Sequence, residues 1–159
     1  MAIFVIMVGL PCSGKTSFVK NNFKDYTVLS LDSLIDIHAG HSSSSYERAW
    51  EEAKESANEE FHKLLREAIK NKYDIVIDRT NLTQNVRQTW CKMLPAYYNK
   101  VAIFIDTPLN ICEERNLQRR SESDNGKFIP QHIMRVMYDR LFLPTEDEGF
   151  DIVQTIKGY

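Results

Sequence analysis

Five short apolar runs punctuate the chain, each bounded by polar or turn-forming residues. "AIFVIMV" (2–8), "YTVLSL" (26–31), "YDIVID" (73–78) and "VAIFID" (101–106) have the length and β-branched content of buried strands. "FDIVQTI" (150–156) reads as a last strand. The second, third and fourth runs lead into Asp32, Asp78 and Asp106.

Between the runs, apolar residues recur every three or four positions, the period of an amphipathic helix. Helices are predicted from behind the loop Gly9–Thr16 to about Lys24, around Ser33–Ala39, and over Tyr46–Lys72. In the last, Tyr46, Trp50, Ala53, Ala57, Phe61, Leu64, Ala68 and Ile69 share a face, and the charged face opposite reads as solvated. "QNVRQTWCKML" is helical, with Pro95 near its end. "TPLNICEERNLQRR" starts with Thr107 as cap and Pro108 in the first turn, and "SESDNG" ends it. "PQHIMRVMYDRLF" forms another helix behind Pro130. Asp106 is expected in a capping or turn role. "GHSSSS" reads as a polar loop, and the "HAGH" pair His38 and His41 as solvated side chains.

Alternating strands and helices predict an α/β fold: a mainly parallel sheet covered by helices on both faces. One domain spans 1–159, with a lid segment around 112–128, and no internal repeat or linker interrupts it.

The 159 residues suffice for one core, at 43% hydrophobic and 26% charged. A net charge of -2 excludes a uniformly basic molecule, so any nucleic-acid contact must use a local patch. No stretch suits a membrane span, and the N-terminal run is too short for a secretory signal. Cys12, Cys91 and Cys112 are odd in number and lack a Cys-x-x-Cys pair, which points away from disulfides and zinc. The reducing cytoplasm is the expected compartment.

"GLPCSGKT" (9–16) changes this picture most. It matches G-x-x-x-x-G-K-[ST] in full, between a strand and a helix. Such a loop turns backbone N–H groups onto phosphates. Its lysine reaches the β- and γ-phosphates, and its hydroxyl reaches Mg²⁺. Gly9, Cys12, Ser13, Gly14, Lys15, Thr16 and Ser17 are therefore the candidate ATP-binding set, with Mg²⁺ as companion. Cys12 is either a small filler or a thiol acidified by the loop. Ligands in open parallel sheets bind beyond the carboxyl ends of the strands. Asp32 is the candidate general base and also a fair N-cap. Asp78 is a metal-side or structural carboxylate, with Thr16 as the other metal candidate. Arg115 and Arg119, four apart, share a helix face. They either close over ATP or pair with nearby glutamates.

"GLPCSGKT", "LSLDS", "DRTNLTQNVRQTW" and "ERNLQRR…IPQHIMRVMYDRL" occur in an order that spans nearly the whole chain. In this the chain resembles the 5′-hydroxyl polynucleotide kinase domain of T-even phages, an adenylate-kinase-like group of P-loop kinases. The first block is shared by many P-loop proteins; the "TNL" block and the last block are more specific. The resemblance implies Lys15 and Thr16 at ATP and Mg²⁺, Asp32 as general base, and Arg115 and Arg119 as lid arginines. Asp32, Arg79, Thr80 and Asn81 are the candidate acceptor-binding set. Two positions depart from the pattern. Ile35 stands where the family has an arginine that helps bind the acceptor strand. Arg79 stands where an aspartate precedes the "TN" pair. Arg79 meets an acceptor phosphate or a salt bridge with Asp32 or Asp78.

The expected activity is transfer of the γ-phosphate of ATP to a nucleic-acid hydroxyl, first a 5′-OH end of DNA or RNA. Kinases of a hydroxymethylated base or of a small nucleoside, nucleotide or sugar are the alternatives. An ATPase switch without an acceptor is a third class. Oligomeric state is left open by the sequence.

Overall fold

In the computed structural model the first apolar run is a strand, β1 (Ala2–Val8), at the centre of the sheet. The structure describes residues 1–39, 46–122 and 127–159, and side chains over 1–38, 51–120 and 127–159. After β1 come α1 (Lys15–Asn22), β2 (Thr27–Leu29), α2 (Leu31–Ala39), α3 (Tyr46–Lys70) and β3 (Ile75–Ile77). Then follow α4 (Gln84–Met93), β4 (Tyr98–Asp106), α5 (Leu109–Glu122), α6 (Gln131–Asp139), a 3-10 turn (Glu146–Glu148) and β5 (Ile152–Lys157). The strand order is β2-β3-β1-β4-β5, and every pairing is parallel.

Alternate residues of β1 feed two cores, as the period of a strand requires. Phe4, Ile6 and Val8 join Ile35, Ala57, Phe61 and Trp90 from α2, α3 and α4. Val5 and Met7 join Val19 of α1 and Val76 of β3. The sheet is therefore covered on both faces, and the amino end of α1 meets the carboxyl end of β1.

Several boundaries differ from expectation, each for a physical reason. β4 begins at Tyr98 rather than Val101, because Ala2–Val8 runs beside Tyr98–Phe104 in register. α2 begins at Leu31, so Asp32 lies in its first turn and is not its N-cap. Ser30 does that work: its Oγ accepts the Ser33 N–H at 3.4 Å, and its carbonyl accepts the Leu34 N–H. Thr107 does not act as the expected cap by its hydroxyl, which donates to the Ser13 carbonyl at 2.7 Å. Asp106 is the last residue of β4, opposite Lys157, and its carbonyl accepts the Gly158 N–H. α5 continues to Glu122, into the segment read as its terminator. Residues 123–126 of the expected lid, His41 and the serine tract lie outside the described residues. No described helix is long and apolar enough to cross a membrane.

Candidate active site

Strand geometry delivers the chain end of β1 to the phosphate loop, and two glycines allow the turn. Gly9 has φ 152° and Gly14 φ 106°, a region costly for residues with a Cβ. A Cβ on Gly9 would also lie 2.9 Å from Ser13 Oγ and 3.1 Å from the Ile105 carbonyl. Neighbouring segments hold the loop: the Gly9 N–H donates to the Thr80 carbonyl at 3.1 Å, and the Ser13 N–H to the Leu10 carbonyl at 3.2 Å.

Lys15 is buried, and its Nζ donates to the carbonyls of Gly9 (3.0 Å) and Leu10 (2.6 Å). Burial lowers its pKa from 10.5 to about 8, against the opposing pull of Asp78 above all. Thr16 Oγ1 donates to Asp78 Oδ2 at 2.8 Å. That contact brings together two hard oxygen donors from α1 and the end of β3. Gly14, Lys15, Thr16, Ser17, Arg115 and Arg119 share the lining of a cleft of about 500 Å³.

Of the two arginines, Arg115 is a brace. Its Nη1 donates to the carbonyls of Cys12 (3.2 Å) and Ser13 (3.3 Å), and its Nη2 to Gly158 (2.8 Å). Arg119, one turn on, is exposed at the cleft. Cys12 is packed with Leu10 and Cys112. Burial pushes its thiol pKa up despite Arg119, Lys15 and Arg115. The filler reading therefore holds and the acidified thiol does not. Iodoacetamide at pH 7.5 should label Cys12 more slowly than a free cysteine, which peptide mass spectrometry can follow.

On the other side of the loop, Asp32 is exposed on α2 and acts electrostatically on both Lys15 and Arg79. The Arg79 guanidinium lies over the rings of Phe61 (5.5 Å) and Trp90 (5.9 Å). Burial lowers its pKa and Asp32 opposes that. Its electrostatic partner is thus Asp32.

Asn81 departs from the acceptor role expected of it. It is 3% exposed, and its side chain is spent internally. Nδ2 donates to Met7 O (2.8 Å) and Arg79 O (3.3 Å), while Oδ1 accepts from Trp90 Nε1 (2.9 Å). Its φ of 46° forms the tight turn after Thr80. Beneath it, Arg87 forks onto Glu148 with two 2.7 Å bonds, and its Nη1 donates to the carbonyls of Asn81, Leu82 and Phe142. Ile35 is fully buried among α2 and α3 residues, so α2 offers no cation there.

Sequence reasoning missed Glu148 and Gly158. A signal existed for the first: Thr145-x-x-Glu148 is a capping pattern, and the Thr145 N–H does donate to Glu148 Oε1 at 3.1 Å. Gly158 offered none. A Cβ there would overlap Thr107 Oγ1 and approach the Ser13 carbonyl to 2.5 Å. Gly158→Ala is expected to cost ~1–3 kcal/mol and to raise the KM for ATP, measured by thermal unfolding and initial rates.

A complete phosphate loop on a 2-3-1-4-5 parallel sheet, with an arginine helix beside it, defines a P-loop domain of the kind that kinases use. The chain belongs to the AAA domain family, whose model matches residues 4–144. It is similar to L-seryl-tRNA(Sec) kinase of Methanococcus maripaludis, at 27% identity over 94% of this chain. It spans 56% of that relative's length. A chain in the Pnkp1/Rnl/Hen1 RNA repair complex has TM-score 0.71 and 22% identity, over 88% of this chain and 44% of that one. One from the PezAT chromosomal toxin–antitoxin system of Streptococcus pneumoniae has TM-score 0.75 and 17% identity, over 99% and 68%. These structural likenesses concern the fold.

Proposed function

We propose that the chain is an ATP-dependent kinase that phosphorylates a hydroxyl carried by a nucleic acid, with a 5′-OH end as the first acceptor. The observation that carries this reading is the setting of Asp32. It is a solvent-facing carboxylate within the electrostatic reach of the phosphate-loop lysine on one side and of Arg79 on the other. A kinase needs a base between donor and acceptor. An acceptor-free ATPase would turn the same group on a water, and the labelling test below separates the two.

In the reaction, an Asp32 carboxylate oxygen takes the proton of the acceptor hydroxyl. The acceptor oxygen bonds to the γ-phosphorus as the bond from the β–γ bridging oxygen breaks, and ADP leaves. Lys15 and the loop amides hold the β- and γ-phosphates. Arg115 keeps the loop in shape, and Arg119 faces the charge that develops. Thr16 and Asp78 fit Mg²⁺, a hard cation that takes oxygen ligands; bound there, it would neutralise phosphate charge. Arg79 and Thr80 border the acceptor side.

A second acceptor is favoured by one observation. Ile35 is a core residue, so α2 lacks the arginine of the 5′-end kinase pattern, and the curated relative is named for a seryl-tRNA. The test supplies γ-labelled ATP and Mg²⁺ with a 5′-OH RNA, a 5′-OH DNA, a seryl-tRNA and a duplex bearing hydroxymethyl pyrimidines. Label on the 5′-OH oligomers is expected. Label on seryl-tRNA or on the modified duplex alone would keep the kinase and replace the acceptor. ATP hydrolysis with no label on any acceptor would overturn the reading.

A further inference from the structure

β5 lies at one end of the sheet, with β4 on one side and no strand on the other among the described residues. The Gly158 N–H bonds to the Asp106 carbonyl, in the register that sets Asp106 of β4 opposite Lys157. Residues that bond a given neighbour alternate along a strand, so Ile152, Gln154 and Ile156 turn their peptide groups to β4. Val153, Thr155 and Lys157 turn theirs to the open edge. Edges of this kind are blunted in natural sheets by short strands, prolines, bulges or charge. β2, the strand at the other end, is three residues long. β5 is six, contains neither proline nor glycine, and has Lys157 at its end as its only charge. Ile152 is 40% exposed on it.

The stretch "DIVQTIK" (151–157) is its own complement when turned end to end. With a twofold axis at Gln154, Asp151 faces Lys157 of a second copy, Ile152 faces Ile156, and Val153 faces Thr155. Moving the axis by one residue destroys the match, because Lys157 then meets Val153, or Asp151 meets Thr155. The hydrogen bonding agrees with this register. Val153 and Thr155 both point outward, so facing each other they exchange both N–H···O=C bonds. Ile152 and Ile156 fall on the non-hydrogen-bonded positions, where side chains come closest.

The two faces of the sheet agree as well. Ile156 packs with the core under α1, and Val153 with the core under α2, α3 and α4. The isoleucine pairs would therefore extend the first core across the axis, while the charged pairs and Val153–Thr155 line the other face. Asp151 is held at the start of β5, where its Oδ2 accepts the Lys100 N–H at 2.7 Å. Lys157 is exposed, its Nζ 5.8 Å over the ring of Tyr159, itself exposed. That contact is weak enough to yield to a carboxylate.

We propose that β5 is the docking edge for a second copy of this chain, paired antiparallel across a twofold axis at Gln154 into one continuous sheet. The interface is isologous, so each contact occurs twice. The inference stands apart from the kinase reading and from the identity of any acceptor.

Sedimentation equilibrium of the full chain, from low to high micromolar concentration and without nucleotide, tests it. A monomer–dimer equilibrium is expected. Thr155→Pro should abolish the dimer and keep the fold, because the N–H it removes points to the open edge and not to β4. A thermal melt checks the fold. Asp151→Lys and Lys157→Asp should each weaken the dimer about tenfold, because each turns both charged pairs into like-charge pairs. Mixed together, these two variants should associate as tightly as wild type, since every facing pair is then of opposite charge. A wild type that stays monomeric throughout would overturn the proposal and leave the edge to a strand of another protein. A dimer indifferent to Thr155→Pro would place the contact elsewhere and overturn it too. So would charge variants that fail to recover on mixing, because the register at Gln154 requires recovery. If Thr155→Pro unfolds the chain, the mixing experiment decides alone.

Discussion

Arg87→Ala should destabilise the domain by ~3–5 kcal/mol, seen as a lower midpoint in urea at an unchanged slope. Arg87 has no exposed surface, and the Glu148 side chain is 2% exposed. Truncation would leave that carboxylate buried without its cation and free the carbonyls of Asn81, Leu82 and Phe142 of their donor. Total stability of a domain is ~5–15 kcal/mol, so this one network carries a large part of it. Lysine should not rescue the variant, because a point ammonium cannot replace a planar fork that serves four residues. Replacing Arg87 and Glu148 together by apolar residues should recover much of the loss, since no charge is then stranded. A loss below ~1 kcal/mol for Arg87→Ala would mean that water reaches Glu148 and that the network is weaker than its geometry.

Asp32→Asn should lower kcat by about 10²–10⁴ and leave the KM for ATP within a few-fold. The change is isosteric and exposed, so folding is not at issue. Removing the charge ends proton acceptance. The loop contacts of Lys15 come from Gly9 and Leu10 and stay as they are. Initial rates on the best acceptor, with ATP and acceptor varied in turn, separate the two effects. An unchanged kcat would take the base role from Asp32, and a raised acceptor KM alone would make it a binding group.

Where residues act on their own neighbourhood, the sequence was readable. β1 has the limits its apolar run predicts, and Gly9, Gly14, Lys15 and Thr16 stand where their motif puts them, because strand, turn and helix are written within one short stretch. What depends on distant partners was not. Asn81 reads as an acceptor residue until Trp90 and Met7 are seen to use its amide. Arg115 and Arg119 read as a matched pair, yet only Arg115 meets the loop carbonyls, because residues one turn apart on α5 lie at different depths. Arg87 belonged to a recognisable block, but its partner Glu148 lies 61 residues away. Ile35 is conspicuous as a departure; that it is a core residue follows only from α3 packing over it.

The floor of the phosphate loop has a temporal consequence. Ser13 rests against Thr107, Arg115 and Gly158, and β1 pairs with β3 and β4 rather than with β2, the strand that follows it in the chain. The first strand of the domain therefore waits for partners that come much later in the chain. Until β3 emerges, an apolar seven-residue strand waits with both edges open, and one edge stays open until β4, a template for wrong pairing and for chaperones. The loop gains these supports only once the far end of the domain has arrived. On the proposed kinase reading, ATP capture during synthesis is then expected to report a finished fold.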